Sequence, residues 1–91
     1  MAKIKNLQND EIVSFDSYVN LGRASRCSIT LKDPKLSRIH CEIIRVDADF
    51  LLIDLQSQNG TKVNSESVLE VLLKSGDTIE IGRSKLLFEA Q

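Results

Sequence analysis

Short apolar runs recur along the chain, separated by residues that favour turns. Ile12–Phe15, Tyr18–Leu21, Ser28–Leu31, His40–Val46, Phe50–Leu55, Thr78–Ile81 and Lys85–Glu89 are each rich in Val, Ile, Leu, Phe or Tyr. Runs of this length at this spacing predict a β-sandwich or barrel. Ile39, Cys41 and Ile43 alternate with His40 and Glu42, the period of a half-buried strand. Phe50-Leu51-Leu52-Ile53 is apolar throughout, which predicts a strand covered on both faces. Asn9-Asp10, Asp33-Pro34, Asp47-Ala48-Asp49, Asn59-Gly60, Ser75-Gly76-Asp77 and Gly82-Arg83-Ser84 supply the turns, and none is long enough to be a linker. In Glu66–Lys74, the positions of Val68, Leu69, Leu72 and Leu73 also fit a helix that Ser75-Gly76 would end. A lone short helix is marginal in such surroundings, so strand and turn are expected there.

At 91 residues the chain has room for one core, and a single domain over 1–91 is expected. A content of 42% hydrophobic and 27% charged residues is that of an ordinary globular domain. Its apolar runs fall far short of the roughly 20 residues a membrane helix needs. The opening Met-Ala-Lys-Ile-Lys-Asn lacks the apolar stretch of a secretory signal, so an intracellular setting, cytoplasmic or nuclear, is expected. Cys27 and Cys41 stand outside any CxxC pair or histidine cluster. Two free thiols packed as small hydrophobes are expected, with a disulfide as the alternative. Nothing points to a metal or a cofactor.

Charge changes the picture because it is unevenly placed. The net charge is −1, which argues against a general nucleic-acid binder. Residues 22–40 nevertheless set Arg23, Arg26, Lys32, Lys35 and Arg38 against Asp33 alone, a local +4, whereas residues 41–91 hold five basic and nine acidic residues, or −4. One basic cluster on an acidic body suits a compact anionic group better than a long polyanion.

The four glycines each adjoin a polar or charged residue, and no glycine-rich nucleotide loop is present. In order, Leu21-Gly22-Arg23, Cys27-Ser28-Ile29, Leu36-Ser37-Arg38-Ile39-His40, the stretch from Asp54 through Asn59-Gly60-Thr61 to Asn64, Gly76-Asp77-Thr78-Ile79 and Ile81-Gly82 resemble the successive motifs of the forkhead-associated (FHA) domain. Singly these motifs are uninformative; in register over residues 21–82 they are specific.

The resemblance implies an all-β sandwich of two mainly antiparallel sheets, about eleven short strands in all, with loops at one end that bind a phosphothreonine peptide. Arg23 and Ser37 would then contact the phosphate, and Arg38 would lie beside it or hold the peptide. Asn59 would hydrogen-bond the peptide backbone with Gln58 beside it, while Gly22, His40, Ser57, Gly60, Thr61 and Asn64 would shape and brace the loops. Ser65 stands where the family often has glycine. The chemistry is independent of the name: a phosphate monoester carries about −1.5 to −2 charges and three acceptor oxygens. Arginine grips two of those oxygens at once, and a serine hydroxyl or loop N–H satisfies the rest.

Ser37, His40 and Asp54 are together a nucleophile, a base and an acid. However, a separation of three along a regular strand puts Ser37 and His40 on opposite faces, and no GxSxG turn exists. The chain is therefore expected not to be an enzyme. It is expected to be a monomeric module for phosphothreonine-containing partners in signalling, with no membrane or direct nucleic-acid contact. The alternative is a phosphate-independent interaction or dimerisation domain that uses a sheet face or edge.

Overall fold

The computed structural model describes residues 1–91 and consists of strands, turns and loops. In chain order the strands are β1 (Ala2–Asn6), β2 (Ile12–Phe15), β3 (Tyr18–Gly22), β4 (Ile29–Thr30), β5 (Cys41–Val46), β6 (Asp49–Asp54), β7 (Thr61–Val63), β8 (Glu66–Val68), β9 (Glu70–Leu73), β10 (Thr78–Ile81) and β11 (Ser84–Ala90). They form two sheets, one in the order β2-β1-β11-β10-β7-β8 and the other β4-β3-β5-β6-β9. All pairings are antiparallel except the short parallel pair of β3 and β4. No helix is long and apolar enough to cross a membrane.

Alternation builds the core. Ile4 of β1, Ile79 and Ile81 of β10, and Leu86 and Phe88 of β11 face inward from one sheet; Val19 and Leu21 of β3, Cys41 and Ile43 of β5, and Phe50 and Leu52 of β6 meet them from the other. Phe50 stands edge-on to Phe15 and to Phe88, with ring centroids 5.7 and 5.5 Å apart. That geometry sets positive ring edges against negative faces across the layer. Cys27 and Cys41 are buried free thiols, Cys41 in this packing and Cys27 against the Arg38 carbonyl, and burial pushes the Cys41 thiol up to about 12.

The all-β sandwich is one of the two folds the apolar pattern predicts and the one the family resemblance implies, with three local differences. Glu66–Lys74 is strand and turn, as expected, but it changes sheets. β8 closes the edge of the first sheet, β9 the edge of the second, and the Leu69 carbonyl between them accepts from the Asp54 N–H. Phe50–Ile53 is not covered on both faces: Phe50 and Leu52 are buried, whereas Leu51 and Ile53 face outward and are half-buried. His40 lies just before β5 rather than on its outer face. Its N–H donates to the Leu21 carbonyl, and His40 and Cys41 are both fully buried.

Antiparallel pairing sends the end of β3, the start of β5, the end of β6, the start of β7 and the β10–β11 turn to one end of the sandwich. The motifs singled out in the sequence therefore meet there, on loops carried by rigid strands.

Candidate functional site

Gly22 ends β3 against the segment that leads into β5. A Cβ at this position would lie 2.2 Å from the Arg38 carbonyl oxygen, so glycine is required by close approach and not by positive φ. That approach lets the Arg23 N–H donate to the Ser37 carbonyl (3.1 Å) and the Ala24 N–H to the Arg38 carbonyl (3.0 Å). Arg23 and Arg38 are thus held on adjoining backbone. Arg23 Nε donates to the Leu36 carbonyl at 3.1 Å, which fixes the side chain while its two terminal nitrogens stay unpaired. The molecule's two ion pairs, Lys5–Asp10 and Arg45–Asp16, involve neither arginine.

His40 joins two loops. Its Nδ1 accepts from the Ser37 N–H (3.2 Å), and its Nε2 donates to the Gly60 carbonyl (2.8 Å). Both bonds require the tautomer with its proton on Nε2. Ser37 Oγ in turn accepts from the Gln58 N–H at 3.0 Å, which leaves its hydroxyl proton to donate elsewhere. Asn59 Nδ2 donates to the Lys35 carbonyl at 2.6 Å and the Leu55 N–H to the His40 carbonyl at 3.0 Å, so residues 31–40 and 55–60 are tied at four points. Within the second loop, Gly60 sits at φ +86° and its N–H donates to Ser57 Oγ.

Asp54 anchors that loop from the end of β6. It accepts from the Ser57 hydroxyl, from the Ser57 N–H at 3.1 Å and from the Thr61 hydroxyl at 2.6 Å. Burial raises its pKa, but these donors outweigh burial and hold the carboxyl below its ordinary value. Asp33 does the same for the neighbouring corner. It accepts from the N–H groups of Lys35 and Arg83 and from the Ser84 hydroxyl, and it too titrates below the ordinary value against the opposing effect of burial. Neither aspartate is marked as structural by the sequence pattern, although the Asp-Pro turn and the facing Gly82-Arg83 are visible traces of the Asp33 corner.

The structure therefore brings Gly22, Arg23, Ser37, Arg38, His40, Ser57, Gln58, Asn59, Gly60 and Thr61 to one end of the molecule. Asn64 is elsewhere: it follows the far end of β7, where its amide bonds Asp77 and the Thr78 N–H. No hydrolytic triad forms. His40 faces the backbone N–H of Ser37 and not its hydroxyl, and Asp54 is engaged by Ser57 and Thr61. Beside Asn59 opens a pocket of about 310 Å³ lined by Lys35, Gly60, Lys62, Glu80, Gly82 and Arg83, a cationic margin that the sequence pattern does not reveal.

Both depressed aspartates make stability depend on acid. The contribution of each carboxylate is fully present above its unfolded value, near pH 4, and is lost as pH falls through its lower folded value. Asp33→Asn is expected to cost roughly 2 kcal/mol at neutral pH, since it weakens three charge-assisted bonds in a buried corner. It should also flatten the loss of stability below pH 4. Urea titrations across pH check this, and a variant with the parent's acid limb would show that Asp33 is not the group responsible.

The fold and this loop end define a β-sandwich interaction module with a cationic tip. The chain belongs to the FHA domain family, which matches residues 19–82. It is 42% identical over 67 residues to an oxoglutarate dehydrogenase inhibitor of Corynebacterium diphtheriae, covering 74% of this chain and 47% of that protein. It is 39% identical over 72 residues to the glycogen accumulation regulator GarA of Mycobacterium tuberculosis, covering 79% and 44%. This chain thus spans about half the length of the curated relatives it matches. A solved structure described as a structural and functional analysis of phosphothreonine-dependent FHA domain interactions superposes with a TM-score of 0.93 at 29% identity, covering 99% of this chain and 96% of that one.

Proposed function

We propose that residues 1–91 act as one phosphothreonine-dependent interaction module that binds a phosphorylated partner segment at the loop end and catalyses nothing. The observation that carries this reading is Arg23, fixed through Nε with its terminal nitrogens free, beside a Ser37 hydroxyl whose proton is uncommitted. Arg38 supplies a second charge without an internal partner. The positive loop end also fits the phosphothreonine dependence of the FHA structure that this chain superposes on.

In this reading Arg23 and Ser37 hold the phosphate oxygens and Arg38 lies beside them. Asn59 and Gln58 hold the peptide backbone; Asn59 Oδ1 is free for this because Nδ2 makes the bond to Lys35. Gly22, His40, Ser57, Gly60 and Thr61 keep the loops in place. Peptide running past Asn59 enters the margin of Lys35, Lys62 and Arg83, which favours acidic residues flanking the phosphothreonine.

One peptide in four versions tests the reading by calorimetry. Phosphothreonine should exceed phosphoserine by about fourfold, the worth of one buried methyl at about 0.8 kcal/mol. Glutamate and unmodified threonine should bind more than about tenfold more weakly, because a planar single charge leaves donors of Arg23 and Ser37 unsatisfied and a neutral hydroxyl offers them no charge at all. Binding should also weaken below about pH 6 as the phosphate takes up its second proton. A glutamate version within twofold of the phosphothreonine peptide would sink the three-oxygen clamp.

A further inference from the structure

The outer face of the second sheet carries an apolar row that the phosphate site does not use. Register sets Tyr18 of β3 against Ile44 of β5, Ile44 against Leu51 of β6, and Leu51 against Leu72 of β9. These four residues alternate with inward-facing Val19, Ile43, Leu52 and Leu73, so all four point away from the core. Tyr18 is 47% and Leu72 54% exposed; Ile53 and Val46 widen the row on its two sides. The apolar run at Phe50–Ile53 reads in the sequence as a strand covered on both faces, yet in the chain alone one face is open. A contiguous apolar patch framed by polar residues marks an interaction site more often than scattered exposed residues do.

The frame identifies the occupant by its charge. Glu42 and Glu70 lie one row toward the loop end, in register through Ile53; Asp49 and Asp16 lie on the other side, with Asp16 paired to Arg45 and Lys74 following Leu73. Carboxylates outnumber cations around the row. A second copy of this chain would set carboxylates against carboxylates, and an anionic membrane surface would be repelled in the same way. We propose that this face docks an amphipathic partner segment whose apolar residues are flanked by Lys or Arg. Tyr18 lies four residues before Gly22, roughly 13 Å along the strand at the usual rise, so the segment and a peptide at the loop end can be held together. The proposal does not depend on the phosphate reading.

The probe is a synthetic amphipathic helical peptide of leucine and lysine, titrated into the 15N-labelled chain, with a leucine–glutamate counterpart as control. Saturable shifts centred on Tyr18, Ile44, Leu51 and Leu72 are expected with the lysine peptide and none with the glutamate peptide. Leu72→Ser, on an exposed edge position, should weaken lysine-peptide binding by about tenfold or more, the scale of one buried leucine. Glu42→Gln combined with Glu70→Gln should weaken it as well, and neither change should alter phosphopeptide titrations. Shifts scattered over the surface, equal shifts with both peptides, or undiminished binding by Leu72→Ser would overturn the proposal. So would sedimentation showing a dimer that Leu72→Ser dissolves, since that would assign the face to a second copy.

Discussion

Arg23→Ala is expected to abolish measurable phosphopeptide binding while leaving the fold nearly untouched. The substitution removes the guanidinium but keeps the Arg23 N–H that bonds the Ser37 carbonyl, so the joint between β3 and the β4–β5 loop survives. Only the bond from Nε to the Leu36 carbonyl is lost inside the protein. That bond is only part-buried and comes from an exposed side chain, so the cost should not exceed about 1 kcal/mol. The affinity loss is far larger. A charge-assisted grip on phosphate, once truncated, costs about 2 to 4 kcal/mol, or roughly 30- to 1,000-fold. Arg23→Lys should recover only part of it, since an ammonium has no planar fork to match two oxygens. Calorimetry with parallel thermal melts separates the two quantities. Intact binding by Arg23→Ala would place the phosphate site elsewhere.

Gly22→Ala is expected to have the opposite signature, a large loss of stability that takes binding with it. Its Cβ would meet the Arg38 carbonyl oxygen at 2.2 Å and the carbonyl carbon at 2.9 Å, backbone atoms with no side-chain rotation to escape by. Relief requires the two segments to separate, which breaks the bonds from Arg23 to Ser37 and from Ala24 to Arg38. Overpacking and lost backbone bonds together should cost about 3 kcal/mol or more, which for a domain of this size lowers Tm by more than about 10 °C. Gly60→Ala is the comparison. Gly60 has positive φ, but a methyl group there would meet nothing within 4 Å, so the cost is the left-handed backbone alone, about 1 to 2 kcal/mol. Thermal melts of the pair should rank Gly22→Ala well below Gly60→Ala; the reverse order would mean the loop, and not the β3 joint, limits stability.

What the sequence made legible follows from where its signals are strong. Thr78–Ile81 alternates between polar and bulky apolar residues, and Ile12–Phe15 and Tyr18–Leu21 do so after an exposed first residue that is itself bulky; each is a strand within a residue of its predicted ends. β1 and β7 escaped because their inward positions, Ala2, Ile4 and Asn6, and Thr61 and Val63, include polar or small side chains that give no apolar period. β8 has only Val68 to show, and its sheet change at Leu69 is a tertiary event with no local trace.

The gathering of Arg23, Ser37 and Asn59 was legible through the family motifs and not through periodicity. His40 shows the limit of periodicity most clearly. Alternation places it on the outer face of a strand, but the full burial of its ring between two loops is decided by the Ser37 N–H and the Gly60 carbonyl, partners 3 and 20 positions away. Asp33 and Asp54 read as turn and strand-end residues, and only the folded chain shows the donors that converge on each. Lys35, Lys62 and Arg83 are scattered in sequence and meet only where the loops converge.

The most direct test of phosphate-dependent recognition is retention of an oriented phosphothreonine peptide library on the immobilised chain, measured beside the same library without phosphate. At least about tenfold greater retention of the phosphorylated library is expected, lost in Arg23→Ala and unchanged in Leu72→Ser. Equal retention of the two libraries, or phosphate-dependent retention that persists in Arg23→Ala, would contradict it.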